Sequence, residues 1–274
     1  MKTTPNYNIL AGMIFFRVVK YLKYKILSKN SNGHGIHSPF VFDLISRVFR
    51  NNFDPVIVYS IEKFRTKLIG DKRTISVKDL GSGFDGRETT LKKVSDIARY
   101  SAVPGRYALL LANMAVEFGK PLIVEFGTSF GISTMYLASF CKETLIFTME
   151  GCPAIADIAY KNFEESGLNN VKLFIGPFEE ILPEITKQGI KPGLIFIDGN
   201  HRKQPVLSYF KKIVEISENE TVVIIDDIYY SREMEEAWNE IKRYEKVSMT
   251  IDIFRMGIVF FKKGIIRNDY IIRY

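Results

Sequence analysis

The chain has 274 residues, of which 46% are hydrophobic and 25% charged, so it has enough apolar side chain to form a core and is not a disordered polymer. Its net charge of +7 comes largely from the N-terminal segment, where six basic residues precede the first acidic one, Asp43, so charge is a weak argument for nucleic acid. The two cysteines, Cys141 and Cys152, form no CxxC or Cys/His cluster, which argues against a zinc site and predicts free buried thiols in a reducing, cytoplasmic setting.

The N-terminal segment predicts a basic amphipathic helix. Its apolar residues Phe15, Val18, Val19, Leu22 and Ile26 follow helical spacing, with arginine and lysines off that stripe. One interpretation is a peripheral contact with a membrane surface, and the other is docking on the chain's own domain or on a partner subunit in a homo-oligomer. No apolar run is long enough to span a membrane, and no cleavage pattern indicates a signal peptide.

A turn-rich break over residues 30–40 contains His34 and His37, for which a structured loop is favoured over a metal site. Helices are predicted over 41–50, 60–70 and 88–118, the last broken near Pro104-Gly105. The intervening segment, 71–87, is a flexible loop with glycines at 81, 83 and 86 that could cover a ligand. We therefore divide the chain into a helical extension or lid, 1–104, and a second domain, 105–274.

From residue 121 onward, short apolar runs alternate with helical stretches. The runs are Leu122–Glu125, Leu145–Glu150, Val171–Ile175, Leu194–Asp198 and Thr221–Asp226. Continuous apolar strands separated by helices are typical of a parallel sheet covered on both faces. Two further runs, near 247–254 and 256–262, are too close together for a crossover helix and predict an antiparallel hairpin. The fold class is therefore α/β and Rossmann-like, with a mostly parallel seven-stranded sheet.

The turn after the first of these strands is a candidate ligand site. Glu125 ends the strand, Gly127 and Gly131 follow in the turn, and a helix begins near Ile132. Such a turn lets the backbone approach a ligand closely and presents free N–H groups to an anion. Its GxxxG spacing, with Ser129 between the glycines, departs from the GxGxxG of dinucleotide sites, which disfavours a pyrophosphate. An ordinary tight strand–helix turn is the alternative.

Glu150, at the end of the next strand, is a second candidate. An acidic residue at that place can accept hydrogen bonds from both hydroxyls of a ribose. Taken alone it could equally be a surface residue at a strand end. Its position one strand beyond the glycine turn favours the nucleoside interpretation.

Four further polar residues lie at the ends of the predicted strands Leu194–Asp198 and Thr221–Asp226. Asp198 ends one strand, with His201 three residues on, and Asp226-Asp227 ends its neighbour. Three carboxylates converging at one sheet edge would repel each other unless a cation or protons compensate, and oxygen ligands suit Mg²⁺. The alternative is that Asp226 and Asp227 cap the following segment and that His201 caps a helix or bonds a carbonyl group.

Residues 123–133, Glu150 and the segment 174–183 together resemble the class I S-adenosylmethionine-dependent methyltransferases, and among them the metal-dependent small-molecule O-methyltransferases of catechol and macrolide-sugar type. The resemblance covers residues 105–262. It implies S-adenosylmethionine as cofactor, with the methionine moiety near Gly127, the ribose on Glu150 and the adenine beside Phe178. The candidate cofactor-binding residues are Glu125, Gly127, Thr128, Ser129, Gly131, Ser133, Glu150, Gly176, Phe178, Glu179 and Asp198.

The same resemblance implies a divalent metal, such as Mg²⁺, on Asp198, Asp226 and Asp227. It also implies that His201, assisted by Asp198, takes the proton of a small-molecule hydroxyl, a role that suits the pKa of an imidazole. The alternatives are a nucleic-acid methyltransferase, a protein methyltransferase, an NAD-dependent oxidoreductase and a non-catalytic cofactor-binding module. Two observations disfavour a nucleic-acid methyltransferase. Enzymes that methylate the amino groups of bases carry an Asn/Asp-Pro-Pro-aromatic motif at the position where this chain has Asp198-Gly-Asn-His. Neither cysteine is placed to act as a nucleophile.

Overall fold

A computed structural model describes residues 7–29, 38–51, 53–78 and 89–274. The strands in chain order are β1 (Thr74–Lys78), β2 (Thr89–Lys93), β3 (Leu122–Phe126), β4 (Leu145–Glu150), β5 (Val171–Ile175), β6 (Leu194–Ile197), β7 (Val222–Ile225), β8 (Met249–Asp252), β9 (Gly257–Phe260) and β10 (Asn268–Ile271). The helices are α1 (Tyr7–Leu27), α2 (Pro39–Asp43), α3 (Pro55–Gly70), α4 (Val94–Ser101), α5 (Gly105–Phe118), α6 (Ile132–Phe140), α7 (Pro153–Glu165), α8 (Phe178–Thr186), α9 (Lys203–Ile216) and α10 (Arg232–Ile241), with a π-helical turn at Leu44–Val48.

The main sheet has the order β10-β8-β9-β7-β6-β3-β4-β5. Strands β3 to β7 pair in parallel, and β9 runs antiparallel to both of its neighbours, β7 and β8. The α/β Rossmann-like class and the β8–β9 hairpin are therefore confirmed. The predicted number of seven strands is wrong, because β10 adds an eighth strand parallel to β8. Only Tyr270 of β10 is buried, so this strand has no apolar run that would mark it in the sequence.

The sheet is covered on both faces, which explains why its central strands are apolar throughout. Every residue of β3, β6 and β7 is buried. Successive residues enter opposite faces, so that Ile123 packs in one core cluster and Val124 in the other. Each fully buried side chain of this size contributes about 1.5–3 kcal/mol relative to exposure. The carboxyl ends of these strands are thereby held on a rigid edge.

Residues of the N-terminal region belong to the same core. Val41, Ile61 and Val94 lie in one cluster with Leu111 and Met135. Strands β1 and β2 form a separate antiparallel pair, so the predicted helix over 88–118 is wrong at 89–93. The division between 1–104 and 105–274 stays a prediction, and His34, His37 and the glycines at 81, 83 and 86 lie outside the described residues.

Both cysteines are free and buried, as the sequence predicted. Burial raises the pKa of the Cys141 thiol to about 12. Such a thiol stays protonated at neutral pH and behaves as a small apolar side chain.

Helix α1 docks against the C-terminal strand through one of its faces. The buried Tyr24 hydroxyl donates to the Ile272 carbonyl oxygen at 2.7 Å, and Lys29 forms an isolated bridge with Ile272. Docking on the chain's own domain is thus confirmed for the face that carries Tyr24. Within the described ranges, no helix combines the length and the apolarity required to cross a bilayer.

Candidate active site

The carboxyl ends of β3, β4, β6 and β7 meet at one edge of the sheet and open into a cavity of about 420 Å³. Ligands of open α/β sheets bind at this edge. The predicted site residues that line it are Gly127, Thr128, Ser129, Ser133, Glu150, Gly176, Phe178, Glu179, Asp198, His201 and Asp227. Glu125, Gly131 and Asp226 lie behind that lining.

The two glycines of the β3–α6 turn are required by the fold itself. Gly127 and Gly131 have φ angles of 99° and 86°, in the left-handed region. A Cβ atom at Gly127 would lie 2.0 Å from the Asp198 carbonyl oxygen, and one at Gly131 would lie 2.4 Å from the Phe163 ring. The turn therefore packs directly on the loop that follows β6, which brings the two predicted halves of the site together.

Glu150 ties the turn to the next loop. One oxygen of its carboxylate accepts from the backbone N–H of Ser129 at 2.9 Å, and the other accepts from the N–H of Cys152 at 2.9 Å. Glu150 is therefore held rigidly at the cavity wall.

Glu125 positions the turn from behind. One of its oxygens accepts from the Thr148 hydroxyl at 2.6 Å and from the Thr134 hydroxyl, and the Thr128 and Thr148 hydroxyls are 2.6 Å apart. Complete burial is the main cause that raises the pKa of Glu125, against the hydrogen bonds that lower it. This network links β3, β4 and the turn, so we assign Glu125 a supporting position.

The far end of the cavity is aromatic. The Phe178 ring packs edge-on against Phe126, with centroids 5.6 Å apart, and lies near Tyr209. A Cβ atom at Gly199 would come within 2.8 Å of the Phe178 ring. The hydroxyl of Tyr209 in turn accepts from the Asn200 amide at 3.2 Å. These contacts produce a flat apolar wall of the kind that suits an adenine ring.

The three aspartates are compensated by an arginine. Asp226 is fully buried, and the Arg255 guanidinium donates to both of its oxygens, at 3.0 and 2.7 Å. The same guanidinium lies 3.8 Å from an oxygen of Asp227. Burial and then Asp227 raise the pKa of Asp226 to about 6, against the lowering effect of Arg255. Burial, followed by the charges of Asp226 and Asp227, also raises the pKa of Asp198.

This arrangement gives no support to the predicted metal set of Asp198, Asp226 and Asp227. We expected a metal ion because three carboxylates need a compensating cation, and Arg255 supplies that cation from within the chain. Both oxygens of Asp226 are already engaged by the guanidinium. Nowhere in 7–29, 38–51, 53–78 or 89–274 do three His, Cys, Asp or Glu side chains form a group arranged to hold a metal. The donor set therefore does not fit Mg²⁺.

His201 lies beside Asp198, as the sequence predicted, with its Nε2 3.6 Å from an Asp198 oxygen. That separation is too long for a direct hydrogen bond. Burial is the main cause that lowers the pKa of His201; Asp227 opposes this effect and Arg255 adds to it. The imidazole is therefore neutral at neutral pH and able to accept a proton. Its ring lies 5.6 Å from that of Tyr230.

Three residues at the cavity escaped the sequence reasoning. Arg255 lies in the turn between β8 and β9, where a lone arginine between two apolar runs was the only signal. Ser101, from the N-terminal region, shares a 2.7 Å hydrogen bond with the Ser129 hydroxyl. Tyr209 is an ordinary core residue by its spacing on α9.

Ser129 occupies the position at which a dinucleotide site would carry glycine, and its φ of 48° is left-handed. We expect Ser129→Val to lower the free energy of unfolding by about 1–2 kcal/mol, because a β-branched residue is strained there. Urea denaturation measures this. Ser129→Gly is the matched control and should leave stability nearly unchanged, since it relieves the same strain. Equal stability of the two variants would contradict the assigned backbone conformation.

Residues 124–228 match a family described as a methyltransferase domain. An uncharacterized RNA methyltransferase of Caldanaerobacter subterraneus subsp. tengcongensis is 23% identical over 146 residues, covering 52% of this chain and 32% of that protein. A protein-L-isoaspartate O-methyltransferase of Magnetococcus marinus is 24% identical over 197 residues, covering 64% and 73%. The chain spans about a third of the length of the first of these relatives.

Among solved structures, an O-methyltransferase from Bacillus cereus in complex with SAH is similar with a TM-score of 0.54 and 19% identity, covering 81% of this chain and 97% of that one. The sheet order of this chain is β5-β4-β3-β6-β7-β9-β8, with β9 antiparallel and β10 at the edge beyond β8. Residues 124–228 thus match a methyltransferase domain, and the fold around them is an α/β, Rossmann-like methyltransferase fold.

Proposed function

We propose that this chain transfers the methyl group of S-adenosylmethionine to a hydroxyl group of a small molecule. The observation that carries the proposal is one cavity that runs from the Glu150 carboxylate to the His201 imidazole. Its volume of about 420 Å³ lies in the range of small-molecule sites. A nucleoside-binding end and a proton-accepting end are thereby joined.

The cofactor end is supported by the residues that would hold each part of the nucleoside. Glu150 would accept from the ribose hydroxyls, the turn at Gly127 would meet the methionine moiety, and Phe178 would border the adenine. S-adenosylmethionine supplies an electrophilic methyl group on a sulfonium cation.

The acceptor end is supported by the state of His201. Because burial lowers the pKa of His201, the imidazole is unprotonated at neutral pH and can take the hydroxyl proton at Nε2. The imidazolium so formed would face the Asp198 carboxyl group, 3.6 Å away. This charge pairing would lower the barrier to proton removal while the walls hold the acceptor oxygen in line with the methyl group.

Metal assistance, which the sequence suggested, is not part of this proposal. The guanidinium of Arg255 takes both oxygens of Asp226, and it lines the same cavity. We infer that Arg255 provides the local positive charge that a divalent ion provides in the related enzymes. The guanidinium of Arg255 is held by its bidentate contact with Asp226, whereas a metal ion is held by ligands that can exchange.

A nucleic-acid acceptor is the second candidate, favoured by the RNA-methyltransferase names of several curated relatives. Arg65, Lys78 and Lys92 line the cavity on the side of the N-terminal region. An RNA acceptor would give turnover that falls steeply with salt, because phosphate contacts release counterions. A small neutral acceptor would give turnover with little dependence on salt, so the same assay separates the two.

Isothermal titration with S-adenosylmethionine tests the cofactor assignment. We expect Glu150→Gln to weaken binding by about tenfold to a hundredfold, because one of its two acceptor oxygens becomes a donor (about 1.4 kcal/mol per tenfold). Glu180→Gln, a nearby change on the first turn of α8 away from the cavity lining, is the matched control and should bind normally. Wild-type protein that binds NAD but not S-adenosylmethionine would refute the proposed function.

A further inference from the structure

Helix α1 packs on the domain through one face, and among the described residues nothing covers the apolar face opposite it. On the inner face, Tyr24 is buried and its hydroxyl bonds Ile272 and the backbone N–H of Tyr274. Lys20 pairs with Glu235 on α10. The Arg17 guanidinium lies over the Tyr230 ring, 5.7 Å from its centroid. These contacts fix the helix on the domain and set which residues face outward.

The outer face carries Phe15, Val19, Leu22 and Ile26, spaced by four, three and four residues. Their exposed fractions are 72%, 44%, 57% and 82%. With about 3.6 residues per turn, these four lie on the side opposite Tyr24 and form a continuous stripe, here named the outer stripe. A contiguous exposed apolar patch marks an interaction surface.

The charges beside the outer stripe identify what would cover it. Lys23 and Lys25 are exposed and flank the stripe, one on each side. Over Tyr7–Leu27 the sequence contains no acidic residue. Lysines can extend along an apolar surface while their ammonium groups reach the polar layer above it. An apolar stripe with cationic margins is complementary to an anionic lipid surface.

A second copy of the chain fits less well. In a two-fold pairing of identical outer stripes, the flanking Lys23 and Lys25 of one copy would face those of the other. No carboxylate of the helix would offset that repulsion. The charge pattern therefore favours lipid over self-association.

We propose that helix α1 docks this protein on membrane surfaces that contain anionic lipid, with the outer stripe inserted at the headgroup level. The helix lies in the plane of the surface, since its inner face is held by the domain along Lys20 and Tyr24. The proposal is independent of the proposed methyl transfer. It concerns where the protein is held, not what it does to the acceptor.

Sedimentation of the full chain with lipid vesicles tests it. We expect binding to vesicles of phosphatidylcholine mixed with phosphatidylserine, about tenfold weaker binding to phosphatidylcholine alone, and loss of binding as salt rises. The double variant Leu22→Gln/Ile26→Gln should bind at least about tenfold more weakly, since each change removes one large side chain from the apolar phase. The matched control is Val56→Gln/Tyr59→Gln, which alters two equally exposed apolar residues on α3.

Because all four altered side chains are exposed, the variants should fold, and circular dichroism checks this. Failure of the wild-type chain to bind either vesicle, or equal binding by the Leu22→Gln/Ile26→Gln variant, overturns the proposal. Sedimentation velocity without lipid tests whether the outer stripe instead mediates self-association. A wild-type dimer that the same variant converts to monomer would assign the outer stripe to self-association and also overturn it.

Discussion

Replacing His201 by alanine is expected to lower kcat by about 10²- to 10⁴-fold, the usual range for a general base. The neutral imidazole lines the cavity beside Asp198 and is poised to accept a proton near neutral pH. Affinity for S-adenosylmethionine should change little, because His201 is not among the residues proposed to hold the nucleoside. Turnover with an identified hydroxyl acceptor and titration calorimetry measure the two quantities separately.

Two further readouts distinguish a base from a merely structural histidine. The pKa of His201 is lowered, so the wild-type rate should stay constant as pH falls to the ordinary imidazole value of 6.5 and decline only below it. Lys203→Ala, two residues away with surface ion pairs to Glu236 and Glu240, is the matched control and should keep full turnover. Full activity of His201→Ala would remove His201 from the mechanism.

The central fold was predictable because its signal is local. Strands such as Leu194–Ile197 are buried on both faces, so each is a continuous apolar run bounded by turns. The parallel pairing then follows from the helices between the strands. The same logic placed Glu150 and Asp198 at one edge, since the carboxyl ends of parallel strands coincide.

Strands that are stabilised by pairing rather than by burial were missed. All five residues of β2 are exposed, so β2 lacks the alternation of a half-buried strand. β1 has this alternation, with Ile75 half-buried and Val77 buried between exposed residues, but over only five residues. Over 88–118 the helical pattern of α4 and α5 dominated, and β2 was absorbed into it. Only the contact with β1 across a loop defines this strand.

At the site, the error was one of charge balance. The aspartates Asp198, Asp226 and Asp227 were visible as neighbours because two adjacent strands end in them. Arg255 was not, because it reaches Asp226 across 29 residues from the turn of an antiparallel hairpin. Counting the carboxylates without their partner suggested a metal. A sequence pattern can therefore locate a charged pocket, but its net charge depends on long-range contacts.

Replacing Arg255 should have the second large effect that we expect. Arg255→Met should lower the free energy of unfolding by about 1–2 kcal/mol at pH 7, and by more at higher pH, because it leaves the fully buried Asp226 carboxylate without its cation. Urea denaturation measures the loss. The double variant Arg255→Met/Asp226→Leu should recover most of it, since replacing both partners of a buried pair with apolar groups is often neutral.

The pH dependence of this loss of stability shows whether the uncompensated Asp226 carboxylate causes it. In the wild type the pKa of Asp226 is about 6, above the value of about 4 of an unfolded chain, so this group favours the folded state most at low pH, where it is protonated. Without Arg255 the pKa should rise further, so the stability difference between Arg255→Met and the wild type should be small near pH 4 and grow as pH rises past 6. Lys262→Met, which breaks a surface ion pair with Glu220, is the matched control and should change stability little at any pH. A difference that does not vary with pH would mean that lost packing, rather than an uncompensated Asp226, destabilises the variant.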